Sequence, residues 1–417
     1  MYTIVCEELQ AEQRGASMVK SPDNILYSLF SDVHRPFFLG GTLFALISIM
    51  MWLLHLLDII PYALPFSQAQ MHMAQMIYFF FPFFFFGFLL TIFPRLLSVP
   101  PLTSRRYVPM FLCFFSSALF FSCGLYAGET WALAGAWLAV ISNIWLTTEL
   151  LRMLLPSGYT YKQMPAFMWT GMAFSCPGSL ALAIYLWADD DSWGRAAEAI
   201  GLYGFLFPAI YAVAYRMVPI FTATSGRDVV RDRFGLHFML AFSLMRMVLM
   251  IMDLHAWYWL ADFGLFLVLG RQCWQWRIWQ RKPNTIQSVL HWAMLWFPLA
   301  FLLSGAVSLA ELLSGTGWLL LEQAALHALV VGGFGTLLLG MATRVTLGHA
   351  GRPVFADLWT TRLFLAFQIV PLLRVSCGLL SEIWPECDIG IHLSGVLWVL
   401  IFFLWAWRYI PLYLKAD

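Results

Sequence analysis

The sequence is short of charged residues. Lys, Arg, Asp and Glu make up 11% of the 417 residues, whereas soluble domains contain roughly 25%. Hydrophobic residues make up 61% and aromatic residues 17%, which is more apolar side chain than a soluble fold can bury. The formal net charge is only +1, so no basic surplus indicates a nucleic-acid partner. These values exclude a soluble enzyme and predict an all-α protein of the lipid bilayer.

The cysteines show no pairing pattern. The seven cysteines include no CxxC spacing, so they predict neither a zinc site nor a disulfide framework. Cys387 falls in a predicted outer loop and is interpreted as a free thiol. Residues 1–33 lack an apolar core followed by a cleavage site, which argues against a secretory signal. We expect this segment to be a short cytoplasmic arm, followed by a single transmembrane domain over residues 34–417.

Long apolar runs dominate the rest of the chain. A helix needs about 20 apolar residues to cross a bilayer, and we count twelve such segments. They cover residues 36–57, 72–94, 107–128, 131–151, 164–187, 198–217, 234–252, 256–270, 288–310, 322–343, 360–381 and 389–409. We find no internal repeat, and the phenylalanine-rich run at 79–88 is expected to pack against lipid or neighbouring helices.

The positive charges predict the orientation. When loops are assigned to alternate sides, 21 of the 24 Lys and Arg residues fall on one side. Short cytoplasmic loops are enriched in positive charge, so both termini are predicted to be cytoplasmic. The eighth segment is short and contains Asp262, but without that crossing every later positive loop would change sides. A tight turn near residue 253 would place Asp262 beside Arg246, and we predict an ion pair, with a role near a cofactor or proton path as the alternative.

Two histidines near the predicted outer face are candidate ligands. His327 begins the segment HALVVGGFGTLLLG, in which Gly332, Gly335 and Thr336 share one helix face. Small residues there would admit either a neighbouring helix or a flat porphyrin, and both interpretations stay open. His72 is the best-placed second ligand if two helices hold one iron.

Three further histidines are candidates near the inner face. His349 lies in the Gly-rich segment RVTLGHAGRP, His291 opens the ninth span, and His237 follows Arg233 in the seventh. Three imidazoles would suit copper, or haem with copper, if they converge. A helix of 22 residues, about 33 Å, separates His349 from His327, so the two groups of histidines would form separate sites.

These residues carry a family resemblance. The stretch HALVVGGFGTLLLGMATRVTLGHAGRP at 327–353 resembles the NnrS signature, close to HALTVGAIGTMTLAVMTRATLGHTGR. RPFFLGG (35–41), GFLLTIFP (87–94), RMVPIFT (216–222) and LHWAMLWFPLAFLLSG (290–305) are also similar to family segments, in the same order. The resemblance covers nearly the whole chain.

The resemblance implies a bacterial inner-membrane protein with haem and copper that takes part in the response to nitric oxide and nitrosative stress. His72 and His327 would then be outer haem or metal ligands, and His237, His291 and His349 the inner set. Arg344 and Arg352 would be candidates for haem propionates, or else positive anchors at the membrane surface. In place of the family's WHAHEM this chain reads MHMAQM, so Ala74 replaces the second histidine and Gln75 the glutamate.

Three functions follow for testing. The first is a haem- and copper-binding protein that binds or turns over nitric oxide or another diatomic ligand. The second is a secondary transporter for a small solute or metal, since twelve spans with cytoplasmic termini are common among transporters. The third is an assembly protein whose haem is structural. The histidines near the two faces, rather than the midplane, favour the first over the second.

Overall fold

The computed structural model describes residues 25–158, 162–222, 234–280, 284–381 and 383–415. Over these ranges the chain forms helices and no strand, which confirms the predicted all-α fold. Residues 1–24 of the predicted arm lie outside the described residues. The same holds for five positive residues of two later loops that are predicted to be cytoplasmic, namely Arg227, Arg231, Arg233, Arg281 and Lys282.

Twelve helices of 17 residues or more are present among the described residues. We number them α1 (His34–Leu56), α2 (Gln68–Leu97), α3 (Ser104–Ala127), α4 (Glu129–Leu154), α5 (Gln163–Ala188), α6 (Asp191–Pro219), α7 (Gly235–Ile251), α8 (Trp259–Trp276), α9 (Thr285–Ser314), α10 (Leu319–His349), α11 (Leu358–Leu380) and α12 (Asp388–Leu414). We call the end of the bundle where α1 begins the inner end, and the opposite end the outer end.

Ten of these helices are long and apolar enough to cross a membrane. The other two, α7 and α8, have 17 and 18 residues, which is near the lower limit for a crossing. Arg35, at the start of α1, donates a hydrogen bond to the Lys415 carbonyl oxygen over 2.9 Å. The two ends of the described chain therefore lie at the same end of the bundle, as an even number of crossings requires. Twelve crossings and cytoplasmic termini stay predictions.

Three helices form the centre of the bundle. The apolar windows of α2, α6 and α10 are 83%, 83% and 78% buried, against at most 56% in the other seven membrane-length helices. Each central helix contains a π-helical stretch, at Gln75–Phe80, Ile200–Leu206 and Ala328–Gly335. Insertions of this kind often occur at functional sites. They fall in every fourth helix, a regularity that the sequence did not reveal.

Aromatic packing joins the central helices. The rings of Phe81 on α2 and Phe334 on α10 meet edge to face at 5.7 Å, and Phe334 also contacts Phe297 on α9 at 5.9 Å. Gly40 and Gly41 on α1 lie directly under phenylalanine rings of α2. The phenylalanine run is therefore buried between helices and does not face lipid.

The predicted contact between α7 and α8 is present. Arg246 Nε lies 3.2 Å from Asp262 Oδ1, and both side chains are buried. Ser304 on α9 donates a hydrogen bond to Asp262 Oδ2 over 2.6 Å. The Arg246 guanidinium carbon also lies 3.3 Å from the Tyr258 ring centroid. The ion pair that the sequence predicted from the charge distribution of the loops and the tight turn near residue 253 is confirmed. It explains how a short helix with a buried carboxylate can pack in the bundle.

Candidate metal and cofactor sites

His72 and His327 belong to one polar site at the outer end. The two imidazoles are close enough to interact electrostatically. The His72 ring stacks on Trp52 of α1, with centroids 4.5 Å apart and planes inclined by 17°. Its Nδ1 atom is buried and has no hydrogen-bond partner among the described residues. A buried nitrogen of this kind needs a ligand or solvent, because an unmade hydrogen bond is costly.

The orientation of the His327 ring is fixed by its own helix. His327 Nδ1 lies 2.6 Å from the Gln323 carbonyl oxygen one turn earlier. A carbonyl only accepts, so Nδ1 carries the proton and Nε2 has a lone pair for a metal or a donor. Histidines that bind metals commonly hold their other nitrogen in this way.

Arg374 on α11 supplies positive charge to the same site. Its guanidinium interacts electrostatically with both His72 and His327. Gly378, one turn further along α11, permits this arrangement, because a β-carbon there would lie 2.9 Å from Ala324 Cβ and 3.2 Å from Arg374 Nη1. The outer site thus brings two imidazoles together with the guanidinium of Arg374.

The small-residue face of α10 packs against aromatic side chains. The Trp296 ring covers Gly332, and Phe297 covers Gly333. Phe367 and Trp398 lie against Gly335, within 3.1 and 3.2 Å of a β-carbon built there. Of the two interpretations that the sequence left open for this face, the structure shows helix packing.

A second cluster lies at the inner end. Asp32, His34 and His349 each offer one ligand atom, and these atoms lie within 4.8 Å of one another. The His34 and His349 ring centroids are 4.2 Å apart. His34 Nδ1 is buried and has no hydrogen-bond partner in the described part of the chain. Asp32 also forms an ion pair with Arg35 at 3.6 Å. Two imidazoles and a carboxylate are a plausible set for a divalent transition metal.

The structure does not bring His237, His291 and His349 together. Among the described residues, the inner cluster is the one group of three or more His, Cys, Asp or Glu ligand atoms this close. His291 is distant from His349 because the two residues lie at different heights along the bundle. A β-carbon on Gly340 would lie 3.1 Å from Leu290, so His291 is level with Gly340, and His349 follows nine residues later, about 13 Å further along the axis.

His237 and His291 instead have neighbours of their own. His237 Nε2 lies 3.3 Å from Gln163 Nε2 on α5, and its ring packs on Phe167 at 5.0 Å. His291 Nδ1 lies 2.9 Å from the Ile278 carbonyl oxygen and donates a hydrogen bond to it. Both side chains therefore tie inner helix ends to adjacent segments.

Arg344 and Arg352 are far from the outer histidines. Arg344 follows His327 by 17 residues in one continuous helix, which is about 26 Å along the axis. Arg352 is exposed beyond the end of α10. The structure therefore places Arg344 and Arg352 at the inner end, away from His72 and His327. Of Arg344, Arg352 and Arg374, it is Arg374 whose charge acts on the outer histidines.

The position of the missing family histidine lies beside an acidic residue. Ala74 and Tyr78 of α2 line a small cavity together with Tyr185 of α5 and Glu198 of α6. Gln75 is fully buried, and its amide nitrogen donates to Ser122 Oγ over 3.3 Å. A histidine at position 74 would therefore point toward Glu198 on α6. Glu198 was not a candidate in the sequence, which carries no signal that relates it to position 74.

A polar cluster on the outer surface lies next to this cavity. His255 Nε2 lies 2.9 Å from Asp253 Oδ1, and its Nδ1 lies 3.8 Å from Glu322 Oε1 in the first turn of α10. The Glu322 carboxylate, 3.8 Å away, raises the pKa of His255, Asp253 adds to that increase, and partial burial opposes it. Arg195 pairs with Asp253 at 3.6 Å. This cluster ties α6, the turn between α7 and α8, and α10 together, and its Glu322 lies five residues before His327.

An apolar cavity lies between the three central helices toward the inner end. Its lining residues come from all three central helices and α1, and include Phe38, Phe84, Phe88, Val213, Leu338 and Met341. The Phe38 ring also meets the His34 ring edge to face at 5.7 Å. The cavity therefore adjoins the inner cluster, and its lining suits a small apolar molecule.

A family model described as NnrS protein matches residues 28–416. The chain belongs to the NnrS family. The match covers α1 to α12, so the resemblance inferred from the α10 signature and four other segments is confirmed. No curated protein matched the chain. Both candidate sites lie within the matched range, and His327 and His349 stand at the two ends of the NnrS-like segment of α10.

Proposed function

We propose that this NnrS-family protein is a haem- and copper-binding protein of the bacterial inner membrane that binds or turns over nitric oxide. The observation that carries the proposal is the pairing of two histidine sites, one at each end of α10, inside a fold with an apolar cavity between them. Bound haem iron and copper would supply the diatomic-ligand and electron-transfer chemistry.

The outer site fits the haem or iron ligands. His72 presents a buried nitrogen with no hydrogen-bond partner among the described residues, and His327 Nε2 is left with a lone pair by the bond to Gln323. Arg374 adds a guanidinium to the same site, a group that commonly binds carboxylates such as propionates. The chain's own residues thus orient the two imidazole ligands.

The inner site fits copper better than iron porphyrin. His34 and His349 are tilted toward each other with Asp32 beside them, which leaves room for an ion and small ligands rather than a flat macrocycle. Imidazole suits copper well, and copper has the highest affinity among the common divalent metals for such a set. The apolar cavity next to Phe38 gives nitric oxide, a weakly polar molecule, a place to reside near this site.

The test is an optical spectrum and metal analysis of the detergent-purified protein, together with the variants His327→Ala and His349→Ala. We expect His327→Ala to lose most of the haem absorbance and to keep copper, and His349→Ala to lose copper and to keep haem. A nitric oxide titration of the reduced protein then reports ligand binding. Folded protein from haem- and copper-replete cells that carries neither cofactor would contradict the proposal and direct the next experiment to transport.

A further inference from the structure

Two thiols meet at the outer end of the bundle. Cys377 lies in the last turns of α11, and Cys387 comes directly before α12. Their thiols are close enough to interact electrostatically. The sequence offered no pairing for Cys387, because ten residues of chain separate it from Cys377 and the connecting turn is not visible in the spacing.

The local fold places the Cys377 sulfur against Gly390, about one helical turn after Cys387. Gly390, in the first turn of α12, has no side chain, and the Cys377 sulfur occupies the space that a β-carbon there would fill. The Cys387 backbone N–H donates to the Trp384 carbonyl oxygen over 3.0 Å, which closes the turn. The two cysteines are therefore juxtaposed by the helix pair itself.

The surroundings differ for the other described cysteines. The thiols of Cys113 and Cys176 contact hydroxyls on neighbouring helices, and Cys273 donates to a backbone carbonyl. Cys123 is an exposed single residue. Cys387 is partly exposed, whereas Cys377 is buried. A reagent from the outer side can therefore reach Cys387 first, with Cys377 directly behind it.

We propose that Cys377 and Cys387 form a disulfide that links α11 to α12 at the outer end. The proposal rests on the orientation inferred above, in which the outer end faces the oxidising side of the membrane. It does not depend on haem or copper. The bond would fix the outer end of α11 one turn after Arg374, whose charge acts on His72 and His327.

The oxidant is a disulfide, either a small molecule or a thiol–disulfide oxidoreductase. The Cys387 thiolate attacks one sulfur of that disulfide, forms a mixed disulfide and releases one thiol. The Cys377 thiolate then attacks the Cys387 sulfur and releases the second thiol. The two protein thiols lose two electrons, the oxidant gains them, and the two protons pass to the released thiolates.

The experiment measures the thiol state of the full-length protein in cells. Cells are quenched with acid, free thiols are blocked with N-ethylmaleimide in SDS, and disulfides are then reduced and labelled with deuterated N-ethylmaleimide. Peptide mass spectrometry assigns a label to each cysteine. We expect the second label on Cys377 and Cys387 in most chains, and the first label on Cys113, Cys123 and Cys176.

The matched variants identify the partner. In Cys387→Ser, Cys377 should shift almost completely to the first label, whereas Cys123→Ser should leave the pair unchanged. Persistent second label on Cys377 in Cys387→Ser overturns the pairing, and first label on both residues in wild-type cells overturns the disulfide. In the latter case, purified protein is treated with glutathione disulfide. If the Cys377–Cys387 disulfide forms under these conditions, the proposed orientation of the bundle in the membrane is wrong. If it does not form, the inferred proximity of the two cysteines is wrong.

Discussion

His34 has the more buried imidazole of the inner cluster. Its replacement distinguishes a copper site at this cluster from the set of His237, His291 and His349 that the sequence suggested. We expect His34→Ala to lose most of the bound copper, because it removes one of two imidazole ligands that lie 4.2 Å apart. Copper per chain, measured by mass spectrometry of the metal after gel filtration, checks this. His237→Ala is the matched control, since it removes a histidine that packs on Phe167 at the same end. Equal copper in both variants would contradict the proposed site.

Single residues also show where sequence reasoning stops. His72, His327 and His349 were identified from chemistry and motif, and the structure places all three in polar clusters. Asp32 and His34 were not grouped with His349, because α1 and the end of α10 are distant in sequence. The sequence placed His291 and His349 near the same face of the membrane. It did not reveal that His291 lies level with Gly340, nine residues before His349 and about 13 Å away along the helix axis.

The Arg246–Asp262 pair joins α7 to α8, and removal of one partner leaves a buried charge. We expect Asp262→Asn to destabilise the protein by about 3–5 kcal/mol, whereas replacing both partners with apolar residues should cost much less. Thermal unfolding in detergent compares Asp262→Asn with the double variant Arg246→Met, Asp262→Leu. A double variant that is less stable than the single one would indicate that the pair serves more than packing.

The packing of α10 against α9 depends on a glycine. In Gly332→Ala the added methyl group would overlap the Trp296 ring, so we expect a loss of about 1–3 kcal/mol, as for other overpacked cores. Gly270→Ala in α8 is the control, because nothing lies within 4 Å of a β-carbon there, and alanine favours a helix by about 1 kcal/mol over glycine. Melting temperatures measure both, and equal values would mean that Trp296 moves freely.

The link from the α7–α8 turn to α10 should depend on pH. The folded-state pKa of His255 is raised above its ordinary 6.5, first by Glu322 and then by Asp253. Its stabilising contribution is therefore complete below about pH 6.5 and is lost as the pH rises through the folded-state pKa. The melting temperature of wild type should exceed that of His255→Gln at pH 6, and the difference should shrink toward pH 9. A constant difference would mean that the charge of His255 is not involved.

At the level of helices, composition and charge predicted nearly all that the structure shows. Even the short α8 with its buried Asp262 was predicted, because without this helix the later positive loops would fall on the other side of the membrane. The π-helical stretches in α2, α6 and α10 could not be predicted, because they depend on tertiary packing and leave no period in the sequence. The same limit hid the central position of these three helices, since apolar residues surround every helix of a membrane bundle.

The orientation of the whole molecule can be tested at two exposed loops. Thr316 lies between α9 and α10 at the outer end, and Pro100 lies between α2 and α3 at the inner end. With 21 of 24 positive residues assigned to the inner side, cytoplasmic loops should include Pro100. A membrane-impermeant maleimide on intact spheroplasts should label Thr316→Cys and should label Pro100→Cys only after permeabilisation, as read by peptide mass spectrometry. The reverse pattern would invert the bundle and place the Cys377–Cys387 pair in the reducing cytoplasm. Labelling of both would mean that the number of crossings between the two loops is even, so that α3 to α9 would need reassignment.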